Sequence, residues 1–176
     1  MKFLVFAFGA IILTSFTSHR PTVLTSQTGP VVSHCTAKEK VIFSCVTKRS
    51  KVISLCSSSI LTSEDGYLQY RFGPSNKPEL VYPATYEHPK KLFQSGTQMY
   101  SGGGSAFLKF RNSDHIYVVF TGIGKGWKKE GVVIQKSGRR IAYLPCKGAW
   151  QSEIGPDLFE KVEIPRDPNE REFTTP

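Results

Sequence analysis

The chain has 176 residues, of which 39% are hydrophobic and 21% charged, and it carries a formal charge of +9 at pH 7. That length is one domain's worth, and the balance excludes both a disordered chain and a membrane-embedded bundle. Twelve Phe and seven Tyr suit a β core, while fifteen Gly and eleven Pro imply many turns.

The N-terminus reads as a secretory signal. Lys2 precedes an apolar run from Phe3 to Leu13, and small or hydroxyl residues follow, with cleavage expected after Thr17. The apolar run is too short to span a bilayer comfortably, so no transmembrane span is expected. Removing residues 1–17 takes away only Lys2 and leaves +8. A basic exported protein tends to meet anionic partners, here an anionic protein or an envelope component; nucleic acid is not expected. Export also sets the reading of Cys35, Cys45, Cys56 and Cys146 as two disulfides. No pair has Cys-x-x-Cys spacing, and no His stands at a finger-like distance, so no metal or other cofactor is expected.

Residues 18–34 are polar and carry Pro21, Gly29 and Pro30, which predicts a flexible lead-in to a β domain over 35–164. Lys40–Val46 and Val52–Cys56 are β-branched runs separated by Lys48-Arg-Ser-Lys51, a hairpin pattern. A turn centred between Lys48 and Arg49 puts Cys45 opposite Val52 and Cys56 opposite Val41. Disulfide geometry wants Cα atoms within roughly 7 Å, which disfavours Cys45–Cys56. The preferred pairing is Cys35–Cys45 with Cys56–Cys146, although sequence leaves all three connectivities open.

Tyr67–Phe72 alternates, with Leu68, Tyr70 and Phe72 on one face and Tyr67, Gln69 and Arg71 on the other. A short strand, Glu79–Tyr82, is stopped by Pro83. Residues 84–104 have no clear period and read as an irregular, Gly-rich segment. Ala106–Arg111 and His115–Phe120 form the clearest hairpin, around Asn112-Ser-Asp114. Residues 122–131 read as a second Gly-rich loop. Val132–Gln135 and Arg140–Leu144 form the last hairpin. About eight strands in hairpin succession, with no helical period between them, predict an all-β antiparallel sandwich or small barrel. Asp157–Val162 suits a short helix with Pro156 at its start. Residues 165–176 are charged and Pro-containing, and are expected to be disordered.

The chemistry-bearing candidates sit mostly in the second Gly-rich stretch. Gly122-Ile-Gly-Lys-Gly-Trp-Lys-Lys129 combines glycines that let backbone N–H groups approach an anion with the charges of Lys125, Lys128 and Lys129. It lacks P-loop spacing. Trp127 among lysines suits stacking on a ring, or folding back on the core edge. Tyr100, in the first Gly-rich segment, joins this candidate contact surface. Further basic clusters, Lys48/Arg49/Lys51 and Lys136/Arg139/Arg140, fall at or beside hairpin ends. If the hairpin ends share a side, the three clusters make one basic rim. Arg71 reads either as an anion contact or as a structural Arg stacked on Tyr or paired with Glu79. No catalytic residues are assigned: His19, His34, His88 and His115 lack zinc-helix spacing, and Gly103-Gly-Ser105-Ala-Phe107 is not a nucleophile elbow.

Cys35…Phe43-Ser-Cys45…Ser54-Leu-Cys56…Tyr67-Leu-Gln-Tyr-Arg-Phe-Gly73…Glu79-Leu-Val-Tyr-Pro83, with the late Cys146, resembles a group of small exported bacterial proteins. The resemblance covers most of residues 35–146 and implies a secreted or periplasmic bacterial location without implying an activity. Ser95-Gly-Thr-Gln-Met-Tyr100 is similar to the Ser-Gly-x-x-Tyr loop of periplasmic inhibitors of c-type lysozyme, with Tyr one place too late. Such lysozymes are basic, so a chain of this charge would be repelled rather than steered, and a lysozyme-type partner is not expected. The function expected is that of an exported, non-catalytic binding, inhibitor or immunity-type protein. It would contact an anionic partner through its Gly-rich basic loops. An envelope structural protein and a hydrolytic enzyme with an unrecognised site are the alternatives.

Overall fold

The computed structural model describes residues 31–176. The expected signal, residues 1–17, and most of the lead-in lie outside the described residues. Nine antiparallel strands form one sheet: β1 Glu39–Thr47, β2 Val52–Ser58, β3 Leu68–Gly73, β4 Leu80–Tyr82, β5 Phe93–Tyr100, β6 Gly103–Asn112, β7 His115–Gly124, β8 Trp127–Lys136 and β9 Arg139–Ser152. Their spatial order is β4-β3-β2-β1-β9-β8-β7-β6-β5. Sequence neighbours pair throughout except β4 and β5, which form the two edges, and β9 returns to lie beside β1. The sheet curls into a half-barrel, so side chains near its two edges meet across the concave face. Tyr82 of β4 stacks on Phe110 of β6 at 4.5 Å between ring centroids. Tyr70 of β3 packs on the same ring at 5.1 Å.

The core fills that concave face. Phe43, Leu55, Leu68, Tyr70, Leu108, Val119 and Val132 are fully buried there. The expected helix forms as α1, Pro156–Val162, with proline in its first turn, and Leu158, Phe159 and Val162 join the core. The all-β, disulfide-stapled architecture is as the strand patterns predict. The ninth strand is β5, in the stretch that reads as irregular. Among the described residues no helix is long and apolar enough to cross a membrane.

Three expectations are corrected. The disulfides join Cys35 to Cys56 and Cys45 to Cys146, with Cα–Cα distances of 5.3 and 5.6 Å. The register near Cys56 is as expected, Val41 facing Cys56, but a bulge between Val41 and Phe43 puts Cys45 opposite Ile53. The preferred pairing fails because β9 runs beside β1, not β2. Thr47 pairs with Cys146, so the late cysteine reaches Cys45. Cys35 meanwhile folds back along β2, where the His34 amide donates to Ser54 Oγ at 3.0 Å.

The end of the lead-in is packed rather than flexible: Ser44 Oγ donates to the Val32 carbonyl at 2.8 Å. It covers the polar face of β3, so Gln69 and Arg71 are buried along with Leu68 and Tyr70.

Residues 165–176 are ordered against the sheet. The Ser95 amide donates to the Pro165 carbonyl and the Asp167 amide to the Ser95 carbonyl, at 2.8 and 2.7 Å, which covers part of the free edge of β5. Buried Asp167 holds Lys109 at 2.5 Å. The chain then crosses to the convex face, where Phe173 packs between Phe107 and Phe120 in a small second core with Val118 and Val133. Composition does not reveal this because one phenylalanine anchors an otherwise polar segment.

Candidate functional site

The two Gly-rich stretches are strands joined by tight turns. β7 runs to Gly124 and pairs it with Trp127, leaving only Lys125-Gly126 as the turn. Likewise β5 and β6 close around Ser101-Gly102. The glycines seat aromatic rings. A Cβ at Gly124 would fall 2.3 Å from the Trp127 indole, and one at Gly96 would fall 2.2 Å from the Phe107 ring. Glycine is depleted in strands because it offers no side chain to pack, and here the partner ring supplies the packing. A backbone anion cradle of the kind the composition suggests therefore does not form.

The two hairpin tips lie side by side, and the antiparallel register sorts their residues onto two faces. Tyr100, Trp127 and Lys129 are on the convex face. Tyr100 and Trp127 are 6.0 Å apart between ring centroids, and Lys129 Nζ stands 5.4 Å from the centroid of the indole. The C-terminal segment reaches them: the Tyr100 hydroxyl lies 2.6 Å from Thr175 Oγ1, and Lys129 donates to the Pro176 carbonyl at 2.5 Å. Lys125 is exposed at the turn, and exposed Lys128 belongs to the concave face.

Arg71 stands apart on β3 and is buried. Its guanidinium donates to both carboxylate oxygens of Glu39, at 2.6 and 2.8 Å, to the His34 carbonyl and to Gln69 Oε1. Glu79, the partner suggested by sequence, instead pairs with Lys51. Arg71 is structural and unavailable to an external anion. The basic clusters do not form one rim either. The β1–β2 and β8–β9 turns share one end of the sheet, and the β7–β8 turn with its lysines is at the other.

What the tips do enclose is a cavity of about 740 Å³ at the open end of the concave face. Ladder pairing builds it in rows. Leu108, Val119, Val132 and Leu144 align as filled core. The next row outward is Thr97, Ala106, Thr121 and Glu130, and the outermost is Met99, Gly104, Ile123 and Lys128. Trp150 of β9 and Ile154 to Pro156, at the start of α1, complete the wall. Met99 is 87% exposed and Ile123 52%, so two large apolar side chains stand uncovered on the lip. Gly104 matters here: a Cβ would lie 2.8 Å from the Gln98 carbonyl and 3.3 Å from the Met99 sulfur.

Glu130 forms part of the cavity floor. It is only 7% exposed, and among the described residues its Oε1 has no hydrogen-bond partner. Burial pushes its carboxyl up to about 7, against a smaller downward pull from Lys128. A carboxyl in such a place can donate or accept a hydrogen bond near neutral pH. Sequence reading missed Glu130 because Gly131 reads as the end of a loop. Alternation counted back from Val132 through Glu130 to Lys128 is the signal that places it on the core face.

Comparison with known protein families, with curated proteins and with solved structures returns no match.

Proposed function

We propose that this is an exported binding protein that works without catalysis and holds an apolar small molecule in the mouth of its half-barrel. The observation that carries the reading is the open cavity with Met99 and Ile123 exposed on its lip. Uncovered apolar surface rimming a concave site is what ligand sites present to their occupants. The hairpin tips that form the site are the two Gly-rich stretches, so the contact surface stays where the composition points while its chemistry changes from basic to apolar. Two disulfides support an oxidising destination. The resemblance to small exported bacterial proteins supports a secreted or periplasmic bacterial location.

The test uses N-phenyl-naphthylamine, an uncharged dye that brightens in apolar sites. The folded protein is expected to bind it saturably. Thr121→Phe, which fills the middle row, is expected to abolish that binding without lowering the melting temperature by more than a few degrees. No saturable binding by the native protein, or undiminished binding by Thr121→Phe, overturns the reading.

A second reading is favoured by the exposed Lys125 and Lys128 at the same tips: an anionic protein or envelope component docks over the mouth. Affinity for such a partner would fall steeply with added salt. Dye binding would be nearly indifferent to salt.

A further inference from the structure

We infer that the occupant of the cavity is an uncharged amphiphile, an apolar body carrying one hydroxyl or amide group that enters first and bonds to Glu130. This rests on the cavity being the binding site and adds the chemical class of its ligand. The polar group is at the floor, beyond the lip made by Met99 and Ile123, and the row beneath it is filled core. A ligand that entered tail-first would press hydrocarbon against an unpaired, buried carboxyl. That leaves Glu130 Oε1, already shielded from water, still unsatisfied, an arrangement buried polar groups avoid. A ligand that entered head-first would satisfy it.

Charge decides the nature of the head. A cationic head must pass Lys128, which lies one row outward on the same face, and approach a chain of charge +8 once residues 1–17 are removed. An anionic head meets Lys128 and Lys125 at the rim, while Arg166, 3.5 Å from Thr97 Oγ1, is already paired with Glu170, and at the floor it meets another acid. It would therefore stop at the rim and leave Glu130 unpaired. A hydroxyl or amide carries both a donor and an acceptor, so it can bond Glu130 in either protonation state. Thr97 and Thr121, flanking in the same row, offer further hydroxyls.

Octanol, octanoate and octylammonium share one tail and differ in the head, and each can compete with bound N-phenyl-naphthylamine. In the native protein octanol is expected to compete best. With each competition referred to the variant's own dye affinity, Glu130→Leu is expected to weaken octanol by roughly three- to tenfold relative to octanoate and octylammonium. Glu130→Gln, which keeps a donor and an acceptor, is expected to restore most of the octanol affinity. Octylammonium competing best and losing most in Glu130→Leu would overturn the inference in favour of a cationic ligand. Equal losses for all three heads, or none, would remove Glu130 as the anchor. Failure of the dye itself to bind would instead overturn the cavity reading on which the inference stands.

Discussion

Arg71 and Glu39 form a two-point ion pair in which the side chains are 8% and 2% exposed. It joins the start of β1 to the middle of β3 across β2. Glu39 also accepts from the Tyr67 hydroxyl at 2.8 Å and the Thr36 amide at 2.7 Å, so both ends of the pair are hydrogen-bonded beyond each other. Buried pairs are not strongly stabilising as wholes, but halving one leaves an uncompensated charge. Arg71→Met and Glu39→Gln should each lower stability by about 3 kcal/mol or more, and the double variant by clearly less than their sum. Urea denaturation of the four proteins measures the difference. Additive losses would show that the pair is not coupled.

The two disulfides should differ in worth. Cys45–Cys146 closes 101 residues and Cys35–Cys56 closes 21. Chain-entropy reasoning gives about 4.7 kcal/mol for the longer loop and about 3 kcal/mol for the shorter. The double-serine variant at Cys45 and Cys146 should therefore melt lower than the one at Cys35 and Cys56. Peptide mapping without reduction should recover these two pairs. Recovery of a Cys35–Cys45 peptide would contradict the strand order that puts β9 beside β1.

Phe173 tests the C-terminal segment. It is 6% exposed and packs on Phe107 and Phe120, centroids 4.8 and 5.6 Å away. Phe173→Ala should cost about 3 kcal/mol, the lower end for burying and then deleting a phenyl ring. It should also open residues 168–176 to proteolysis in the otherwise folded protein. Loss of no more than a few tenths of a kcal/mol would mean that the segment does not stay on the convex face.

Those corrections show which parts of the fold were legible. Strands with β-branched or aromatic alternation, such as Tyr67–Phe72 and His115–Phe120, announce themselves because a half-buried pleated surface demands that pattern. β5 and the end of β7 do not, because Gly96 and Gly124 take their packing from Phe107 and Trp127 on the facing strands, and that pairing exists only after the chain has folded. Disulfide choice fails for the same reason: whether Cys146 reaches Cys45 or Cys56 depends on which strand β9 joins, a long-range decision with no local trace. At the candidate site, Tyr100, Trp127 and the lysines fall on the hairpin tips beside the cavity, yet the face each occupies depends on strand register. Glu130 escapes notice because its meaning comes from burial, and a glycine beside it hides the alternation.

The pH dependence of stability follows from two acids that pull in opposite directions. Burial alone would raise the Glu39 carboxyl, but hydrogen bonds from Arg71, the Thr36 amide and Tyr67, with the charge of Arg71, bring it from 4.5 down to about 2. The unfolded chain therefore binds more protons at this group between those values, and stability rises as pH increases from about 2 to 4.5. Glu130 is displaced the other way by its burial, from 4.5 up to about 7. Between those values the folded chain holds the extra proton, so stability falls as pH increases from 4.5 to about 7 and is level above it. Each effect is worth roughly 3 kcal/mol across its window, since one unit corresponds to about 1.4 kcal/mol. The contribution of these two acids alone is greatest near pH 4.5. Glu130→Gln should remove the upper decline and raise the melting temperature at pH 8 while leaving the acid limb intact. Glu39→Gln should flatten the acid limb. Melting temperatures of the native protein and both variants from pH 2 to 9 check the two limbs separately. Burial lowers His34 and adds a rise in the same window, so the comparison decides: a native profile that does not fall relative to that of Glu130→Gln between pH 4.5 and 7 would contradict the buried, proton-holding state of Glu130.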